Sequence, residues 1–267
     1  MEKINNLFAI LKDIESAVLS YSGGVDSTFL LKALHLTNIQ TLAVTAYSEI
    51  TPHRDFILAR QLVEEFGIDH MVVKTDELAS EDFVKNSPDR CFICKNERFR
   101  ILKDIAISKG YKYVLDGSNL DDLMDYRPGR QAAEKHNVRS PLIEAGFTKQ
   151  DIRECSRHFG IATWDRPSSP CLASRFPYGQ RITKDLLDRI ERAEDFLKSI
   201  GFNNVRVRDH GGMARIEVDA DKIELFLIPQ TRETISEHLK NLGYIFISLD
   251  LDGYKRGNLN KGPGITM

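Results

Sequence analysis

Short apolar runs alternate with amphipathic stretches along roughly the first 160 residues of the chain. Apolar runs rich in Val and Leu lie at 18–21, 41–47, 71–74 and 113–116, and amphipathic stretches at 54–66 and 96–109. Apolar runs separated by helical patterns are typical of βαβ units, whose parallel strands are buried on both faces. The pattern therefore predicts an α/β domain with a parallel sheet, and ligands bind such sheets at the carboxyl ends of the strands.

The pattern changes near residue 165. A loop at 166–171 contains two prolines, which is typical of a junction between domains. Beyond it lie helical patterns at 183–200 and 231–242 and strand-like patterns at 205–208, 214–218 and 244–249. We therefore predict two domains, residues 1–165 and 166–267, of which the second is a smaller α+β domain.

A turn of small residues directly follows the first predicted strand and precedes a helical pattern. Its sequence is Ser-Gly-Gly-Val-Asp-Ser, residues 22–27. Glycines let the backbone approach an anion, successive amides point inward, and a helix N-terminus favours negative charge. The hydroxyls of Ser22, Ser27 and Thr28 add donors, so the turn predicts a phosphate site. The Gly-Lys-Ser/Thr ending of a Walker A loop is absent.

The loop after the fourth predicted strand supplies candidate metal ligands. Gly117 permits a close approach of the backbone, and Asp121 and Asp122 carry the oxygen ligands that Mg²⁺ takes among phosphates. Asp26 in the glycine turn is a further candidate. A solvated, capped turn explains the loop by itself equally well.

Composition indicates an ordinary globular protein. The 267 residues are 42% hydrophobic and 28% charged with a formal net charge of −2, so any anion site must be local. Arg127, Arg130 and Arg139 are candidate local cations, unless they are simply exposed on turns. No apolar stretch approaches a membrane span and the chain start lacks the apolar core of a signal peptide, so we expect a cytoplasmic protein without a membrane partner.

The four cysteines indicate metal, redox or catalytic use rather than a disulfide scaffold. Cys91 and Cys94 form a Cys-x-x-Cys pair, which is equally typical of a redox dithiol, half a zinc site or half an iron–sulfur site. With Cys171, three thiolates suit a 4Fe-4S cluster that leaves one iron open. Zinc needs a fourth ligand, and zinc and metal-free persulfide or redox chemistry stay open. We expect Cys155, within a helical pattern, to be buried.

Several motifs follow one another in a distinctive order along nearly the whole chain. They are the turn 22–27, Asp116-Gly117, Asp125-Tyr126-Arg127-Pro128-Gly129, Ser174-Arg175-Phe176-Pro177-Tyr178-Gly179 and Val205-Arg206-Val207-Arg208. The turn, together with the later Gly and Asp-Asp, resembles the signature of PP-loop ATP pyrophosphatases, which split ATP between the α and β phosphates. The order of all the motifs resembles the LarE family of ATP-dependent sulfur transferases, and the last two motifs are the most discriminating.

The resemblance to LarE implies a reaction and a set of residues. ATP would adenylate a carboxylate of pyridinium-3,5-biscarboxylic acid mononucleotide with loss of pyrophosphate, and sulfur would displace AMP to leave a thiocarboxylate for the nickel-pincer nucleotide cofactor. The implied ATP site, with Mg²⁺, comprises Ser22, Gly23, Gly24, Val25, Asp26, Ser27, Ala46, Gly117 and Asp122. The implied substrate-phosphate ligands are Arg175, Arg206 and Arg208, and the implied catalytic residues are Asp26, Cys171 and Glu194, the last at the sulfur-transfer site.

Members of that family differ in their source of sulfur. Some sacrifice a cysteine near the Ser-Arg-Phe-Pro-Tyr-Gly motif, whereas others carry three cysteines and resemble cluster-dependent enzymes. Because this chain has Cys91, Cys94 and Cys171, it resembles the second type, in which the three thiols hold a 4Fe-4S cluster and sulfur rides on its open iron. Sacrifice of Cys171 stays open as the alternative.

Other functions stay open as well. A tRNA thiolation enzyme of the same superfamily would adenylate a nucleobase, but the second half has no dense Lys/Arg run, so we expect a small nucleotide substrate and no tRNA partner. An amide-forming ligase is a further alternative, but its reaction would give no function to Cys91, Cys94 and Cys171. A nucleotide-binding regulator with structural zinc would need no turnover. We expect a homo-oligomer, because small α+β appendages often build interfaces.

Overall fold

The computed structural model describes residues 2–123 and 128–255. The chain forms two compact units, the first from Met1–Glu77 and Asp89–Ser169 and the second from Leu78–Pro88 and Pro170–Met267. No sequence pattern indicated that Leu78–Pro88 joins the second unit. The domain division at residue 165, with substrate and interface roles for the second domain, stays a prediction.

The elements alternate along the chain. In order they are α1 (Glu2–Lys12), β1 (Ser16–Ser20), α2 (Val25–Leu36), β2 (Gln40–Tyr47), α3 (His53–Phe66), β3 (Asp69–Lys74), α4 (Glu81–Val84), α5 (Arg90–Lys109), β4 (Tyr113–Leu115), α6 (Pro128–Lys135), α7 (Pro141–Glu144), α8 (Lys149–His158), α9 (Lys184–Ser199), β5 (Arg206–Asp209), β6 (Met213–Glu217), α10 (Pro229–Asn241) and β7 (Phe246–Leu249). Short 3₁₀ turns lie at Glu77–Ala79, Leu120–Leu123, Leu172–Arg175 and Ala220–Leu227.

The first unit is built on a parallel four-stranded sheet in the order β3-β2-β1-β4. Successive residues of β1 face opposite sides of the sheet. Leu19 belongs to a core cluster that includes Phe29 of α2, and Val18 belongs to a second cluster that includes Phe99 of α5. Helices therefore cover both faces, and the predicted α/β fold with a parallel sheet is confirmed.

The strand predictions agree with the structure to within a few residues, but one helix begins earlier than its pattern indicates. The structure starts α5 at Arg90, whereas the amphipathic pattern starts at 96. The first two turns of α5 contain Cys91 and Cys94, which provide little apolar periodicity. The Cys-x-x-Cys pair therefore lies on a helix, in its first two turns.

The second unit contains a three-stranded sheet in the order β5-β6-β7. β5 and β6 form an antiparallel hairpin and β7 runs parallel to β6. The turn of the hairpin uses Gly211 and Gly212 at φ of 65° and 104°, a region that favours glycine. Val207 and Ile216 pack in one core with Leu197 of α9 and Leu239 of α10. This small mixed sheet with its helices confirms the predicted α+β unit.

The segment with α4 anchors the Ser-Arg-Phe-Pro-Tyr-Gly motif within the second unit. Asn86, fully buried, donates from Nδ2 to the Pro177 carbonyl oxygen at 2.8 Å. The Gly179 amide donates to the Asn86 carbonyl oxygen at 3.0 Å, and the Ile182 amide to that of Val84 at 2.9 Å. The motif is thus fixed by side-chain and backbone hydrogen bonds to a segment about 90 residues earlier in the chain. No helix among the described residues is both long and apolar enough to cross a membrane.

Candidate functional site

The glycine turn lies at the carboxyl end of β1 and leads into α2, as predicted. Gly23 has φ of 70°, and a Cβ on it would lie 2.6 Å from the Cβ of Ala59 in α3. Glycine is therefore required there by conformation and by space. Gly24 is the N-cap of α2 and has no side chain to accept from the first amides. Those amides have no partner within the helix and are suited to an anion.

The serines of the turn bind one another. The Oγ atoms of Ser22 and Ser27 are 3.1 Å apart, and Ser27 Oγ donates to the Gly24 carbonyl oxygen at 3.2 Å. Ser22 is exposed, whereas Ser27 and Val25 are buried. Of the two serine hydroxyls, that of Ser22 is the more accessible to a ligand.

The loop after β4 packs directly against the turn. A Cβ on Gly117 would lie 2.9 Å from both the Cα and the amide nitrogen of Ser27. The neighbouring Asp116 is buried and accepts from Ser118 Oγ at 2.7 Å and Ser140 Oγ at 2.6 Å. The structure thus brings together two predicted parts of the site, the turn and the Gly117 loop.

Asp26 has one carboxylate oxygen bound and one without a partner. Its Oδ2 accepts from Asn119 Nδ2 at 3.2 Å and lies 3.5 Å from Lys149 Nζ. Its Oδ1 is buried without a hydrogen-bond partner among the described residues. Burial raises the pKa of Asp26; Lys149 opposes the rise and Asp122 adds to it, and the pKa stays above its ordinary value. A cation near Oδ1 would satisfy this carboxylate.

The two aspartates of the loop have different contacts. Asp121 Oδ2 accepts from the Lys149 amide at 2.6 Å, so it fixes the start of α8. Asp122 Oδ2 accepts from the Asn119 amide at 3.2 Å, and its charge acts on Asp26. Asp122 is therefore better placed than Asp121 to share a cation with Asp26, and the magnesium role stays a prediction.

A cavity of about 150 Å³ opens beside the turn within the first unit. Besides residues of the turn, it is lined by Asp55, Lys149, Arg153 and Arg166, for which the sequence analysis proposed no role. Arg166 Nη2 donates to Asp55 Oδ1 at 2.5 Å, and Arg153 donates to the carbonyl oxygens of Trp164 and Arg166 at 2.9 and 2.7 Å. The cavity is smaller than the several hundred Å³ typical of a whole-ligand site and suits the phosphate part of a nucleotide.

Lys149 was missed although the sequence carries a signal for it. It is the first residue of α8, after the N-cap Thr148, which forms a capping box with Asp151. A lysine in a first turn opposes the helix dipole, which favours carboxylates there. Such a lysine is most easily explained by a nearby negative charge, and the structure provides Asp26.

The remaining predicted residues of the first unit are placed as follows. Ala46 is half-buried near the end of β2, opposite Val73, and its adenine contact stays a prediction. Asp125, Tyr126 and Arg127 lie outside the described residues.

The other two predicted local cations, Arg130 and Arg139, each form an ion pair with a neighbouring glutamate. Arg130 donates to Glu134 Oε1 at 3.0 Å, and Arg139 donates to Glu144 Oε2 at 2.5 Å. These pairs are partly exposed and contribute little to stability.

Arg175 and Glu194 form a buried ion pair in the second unit. Each residue is 1% exposed. Arg175 Nε and Nη2 donate to the two carboxylate oxygens of Glu194 at 2.8 and 2.9 Å, and Glu194 also accepts from the Val207 amide at 3.1 Å. Burial alone would raise the pKa of Glu194, but the charge and hydrogen bonds of Arg175 bring it down to about 2. Glu194 is therefore ionised and enclosed.

Arg206 and Arg208 point from the same face of β5. Arg208 donates to the Ser174 carbonyl oxygen at 2.8 Å and to Glu217 Oε2 at 2.7 Å. The guanidinium of Arg206 lies over the ring of Tyr254 at 5.0 Å. Burial lowers the pKa of Arg206, and the neighbouring charge of Arg175 lowers it further. The structure thus groups the predicted arginines with Glu194, and their phosphate role stays a prediction.

The four cysteines, all described, form no disulfide. In the first unit Cys91 is exposed and Cys94 half-buried, one helical turn apart at the start of α5. Cys94 Sγ lies 3.6 Å from Glu77 Oε1 and 3.8 Å from Arg98 Nη2. Cys171, half-buried, belongs to the second unit. Cys155, which the helical pattern predicted to be buried, is half-buried; it packs against the first core, and burial raises the pKa of its thiol.

Thiolates such as those of Cys91 and Cys94 are ligands that both iron–sulfur clusters and zinc accept. Among the described residues, however, no three His, Cys, Asp or Glu side chains are grouped as a metal site. The predicted cluster ligands therefore stay a prediction.

Comparisons with known proteins decide the family. No protein-family model matches the chain. An uncharacterised protein of Synechocystis is 40% identical over 260 residues, 97% of each chain. The pyridinium-3,5-bisthiocarboxylic acid mononucleotide synthase of Lactiplantibacillus plantarum is 38% identical over 256 residues, 95% of this chain and 92% of that protein. The chain belongs to the LarE-like family of PP-loop sulfurtransferases.

Membership of the LarE-like family confirms part of what the motifs indicated. The protein is an ATP-dependent sulfurtransferase, as predicted. A tRNA-specific 2-thiouridylase of Wolbachia is also similar: the alignment of 248 positions is 21% identical and covers 77% of this chain and 65% of that protein. The roles of individual residues in this LarE-like enzyme stay predictions.

Proposed function

We propose that this LarE-like enzyme adenylates a carboxylate of pyridinium-3,5-biscarboxylic acid mononucleotide and converts it into a thiocarboxylate. The observation that carries the proposal is the 38% identity over nearly the whole chain to a synthase of the bisthiocarboxylic mononucleotide. The glycine turn in the first unit supports it, because amides, serine hydroxyls and Lys149 converge there on a cavity suited to phosphates.

The first half-reaction joins the acceptor to AMP. A carboxylate oxygen of the acceptor attacks the α-phosphorus of ATP, the bond to the β-phosphate oxygen breaks, and pyrophosphate leaves. The amides at the start of α2 and the Lys149 ammonium would bind phosphate oxygens and offset their charge. Asp26 and Asp122 would hold Mg²⁺, which fits the unpartnered Oδ1 of Asp26. When bound, Mg²⁺ neutralises charge on the departing pyrophosphate.

The second half-reaction exchanges oxygen for sulfur. Sulfur attacks the carbonyl carbon of the adenylate, and AMP departs with the former carboxylate oxygen. Adenylation is needed because a free carboxylate is a poor electrophile, whereas sulfide and thiolates are strong nucleophiles near neutral pH. Arg206 and Arg208 would bind the phosphate of the acceptor, and Cys171 would take part in delivery of sulfur.

The test is incubation of the protein with ATP, the acceptor and a sulfide source. Pyrophosphate and AMP should appear together, and mass spectrometry should show an acceptor in which one oxygen is replaced by sulfur. Release of pyrophosphate without thiolated acceptor would refute the substrate. Release only when tRNA is added would support the thiolation of a nucleobase, which the similarity to the Wolbachia thiouridylase favours as the second candidate.

We also propose that Cys91, Cys94 and Cys171 hold a 4Fe-4S cluster, which when bound supplies an iron that carries sulfide. The support is the soft character of three thiols and the placement of Cys91 and Cys94 one helical turn apart without a disulfide. Protein purified without oxygen should contain iron and sulfide, and the brown colour should be lost in Cys91→Ala.

Two outcomes would contradict the cluster. A colourless protein with stoichiometric zinc would assign a structural metal instead. Loss of sulfur from Cys171 after turnover, seen as dehydroalanine by mass spectrometry, would establish the sacrificial route.

We further propose a homo-oligomer and a role for the second domain in substrate binding. Exposed apolar side chains near β7, Ile245, Phe246 and Leu251, support an interface in the second unit. Sedimentation at several protein concentrations measures the assembly state, and a monomer throughout would contradict it.

A further inference from the structure

The buried pair of Arg175 and Glu194 uses every guanidinium nitrogen in contacts within the second unit. Two nitrogens face the two oxygens of Glu194 at 2.8 and 2.9 Å. This fork-to-fork geometry fixes the plane of the guanidinium. The third nitrogen, Nη1, therefore has a defined direction.

Nη1 of Arg175 is directed at the backbone on either side of Cys171. It donates to the Pro170 carbonyl oxygen at 2.7 Å and to the Cys171 carbonyl oxygen at 3.1 Å. It also lies 3.0 Å from Ser174 Oγ, which itself donates to the Cys171 carbonyl oxygen at 2.7 Å. These contacts converge on two successive carbonyl groups.

Those two carbonyls belong to the two peptide planes that meet at the Cα of Cys171. Because each peptide unit is planar, fixing both planes fixes the direction of the Cα–Cβ bond between them. The sulfur then keeps only rotation about that bond. Arg175 thus restricts the position of Cys171 Sγ without touching it.

A second arginine secures the same short turn from its other end. Arg208 donates to the Ser174 carbonyl oxygen at 2.8 Å and is held by Glu217 at 2.7 Å. The Ser174 amide closes the turn by donating to the Cys171 carbonyl oxygen at 3.0 Å. The turn Leu172–Arg175 is therefore clamped at both ends by arginines that are each paired with a buried glutamate.

We propose that Arg175 and Glu194 are positioning residues that orient Cys171 for sulfur transfer, and that Arg175 does not bind the substrate phosphate. The proposal rests on the proposed function, since it assumes that Cys171 takes part in sulfur delivery. A phosphate could reach the guanidinium only if Arg175 released Glu194 or the carbonyls, which would leave buried acceptors without donors. Arg206 and Arg208 remain as the predicted phosphate ligands, since Nε of Arg208, unlike any nitrogen of Arg175, is buried without a hydrogen-bond partner among the described residues.

The test compares a double variant, Arg175→Met with Glu194→Leu, and the milder Ser174→Ala with the parent enzyme. The double variant removes both charges together, because a single change would leave one buried charge unpaired and endanger folding. Arg181→Met is the matched control, since Arg181 is an exposed arginine paired with Glu81 in the same unit.

Three quantities are measured in every variant. The rate of amide hydrogen exchange of residues 170–176 reports how firmly the arginines hold the turn that follows Cys171, which we call the clamp. Steady-state kinetics give KM for the acceptor and kcat for thiocarboxylate formation. We expect exchange to accelerate and kcat to fall, each by about tenfold or more, with KM for the acceptor within about twofold of the parent. Arg181→Met should match the parent in all three.

The opposite pattern would overturn the proposal. A KM that rises about tenfold with unchanged kcat would show that Arg175 binds substrate directly. Unchanged exchange in the double variant would show that no clamp exists, and faster exchange with the parent kcat would show that it does not serve the reaction. If the parent forms no thiocarboxylate, the proposed function fails, while the exchange data still decide whether the clamp exists.

Discussion

The Asp26 carboxylate in the glycine turn of the first unit and the Arg175–Glu194 pair of the second unit satisfy their charges in different ways. Asp26 at the turn keeps one buried carboxylate oxygen without a partner among the described residues. Arg175 and Glu194 are saturated by each other, by the backbone carbonyl oxygens next to Cys171 and by the Val207 amide. A buried group left unsatisfied marks a place that a ligand completes, whereas a saturated pair marks a part that holds something else in position.

The largest expected effect distinguishes Asp26 from its partnered neighbour Asp121. Asp26→Ala should lower pyrophosphate release by about a thousandfold, because it removes a carboxylate that would hold the cation bound to the phosphates. Asp121→Asn should cost less than about tenfold, because the Asp121 carboxylate accepts from the Lys149 amide and so holds the start of α8. Equal losses measured in a pyrophosphate assay would mean that the unpartnered oxygen of Asp26 does not mark the site.

The saturated pair should matter more for stability than the unsatisfied carboxylate. Arg175→Met leaves Glu194 buried without its counter-ion and should lower the free energy of unfolding by about 3–5 kcal/mol. Adding Glu194→Leu should recover most of that loss. Chemical denaturation measures the free energy of unfolding of the single and the double variant. An Arg175→Met variant as stable as the parent would contradict the ion pair.

The two carboxylates should respond to acid in opposite directions. The pKa of Glu194 is lowered in the folded protein, so its contribution is present at neutral pH and is lost as pH falls from 4.5 toward about 2. The Arg175→Met and Glu194→Leu double variant should lack this acid-dependent loss. A parallel decline of both proteins over that range would place the acid sensitivity elsewhere.

The smallest effect concerns Asp26, whose pKa is raised in the folded protein. Stability from such a group is complete below its unfolded pKa and is lost as pH rises through the folded value. Asp26→Asn should therefore raise the melting temperature at about pH 7 by a few degrees, and the gain should disappear below about pH 4. A gain that persists unchanged in acid would contradict the raised pKa.

The sequence predicted what depends on local patterning. Apolar runs located the strands, and the small residues of 22–27 located the turn, because strand burial and glycine conformation are short-range properties. Motif order also led to the correct family. Contacts made across the chain were not predicted, such as those of Asn86 with Pro177 or of Lys149 with Asp26.

The arginines show why the role of a residue could not be inferred from its type. Arg175, Arg206 and Arg208 are alike in sequence as candidate phosphate ligands, but Arg175 is enclosed with Glu194 and Arg206 lies over Tyr254. Partner choice for a guanidinium depends on tertiary packing, which carries no short-range signal. The structure therefore separates residues that the motif presented as one group.

The most direct test of the central claim follows an oxygen atom from acceptor to AMP. The acceptor is prepared with a heavy oxygen isotope in its carboxylates, and AMP is collected during turnover with ATP and sulfide. If a carboxylate is adenylated and sulfur displaces AMP, the bridging carboxylate oxygen leaves with AMP. One molecule of AMP with one heavy oxygen should then form for every thiocarboxylate group. Unlabelled AMP, or ADP in place of AMP, would contradict adenylation of the carboxylate.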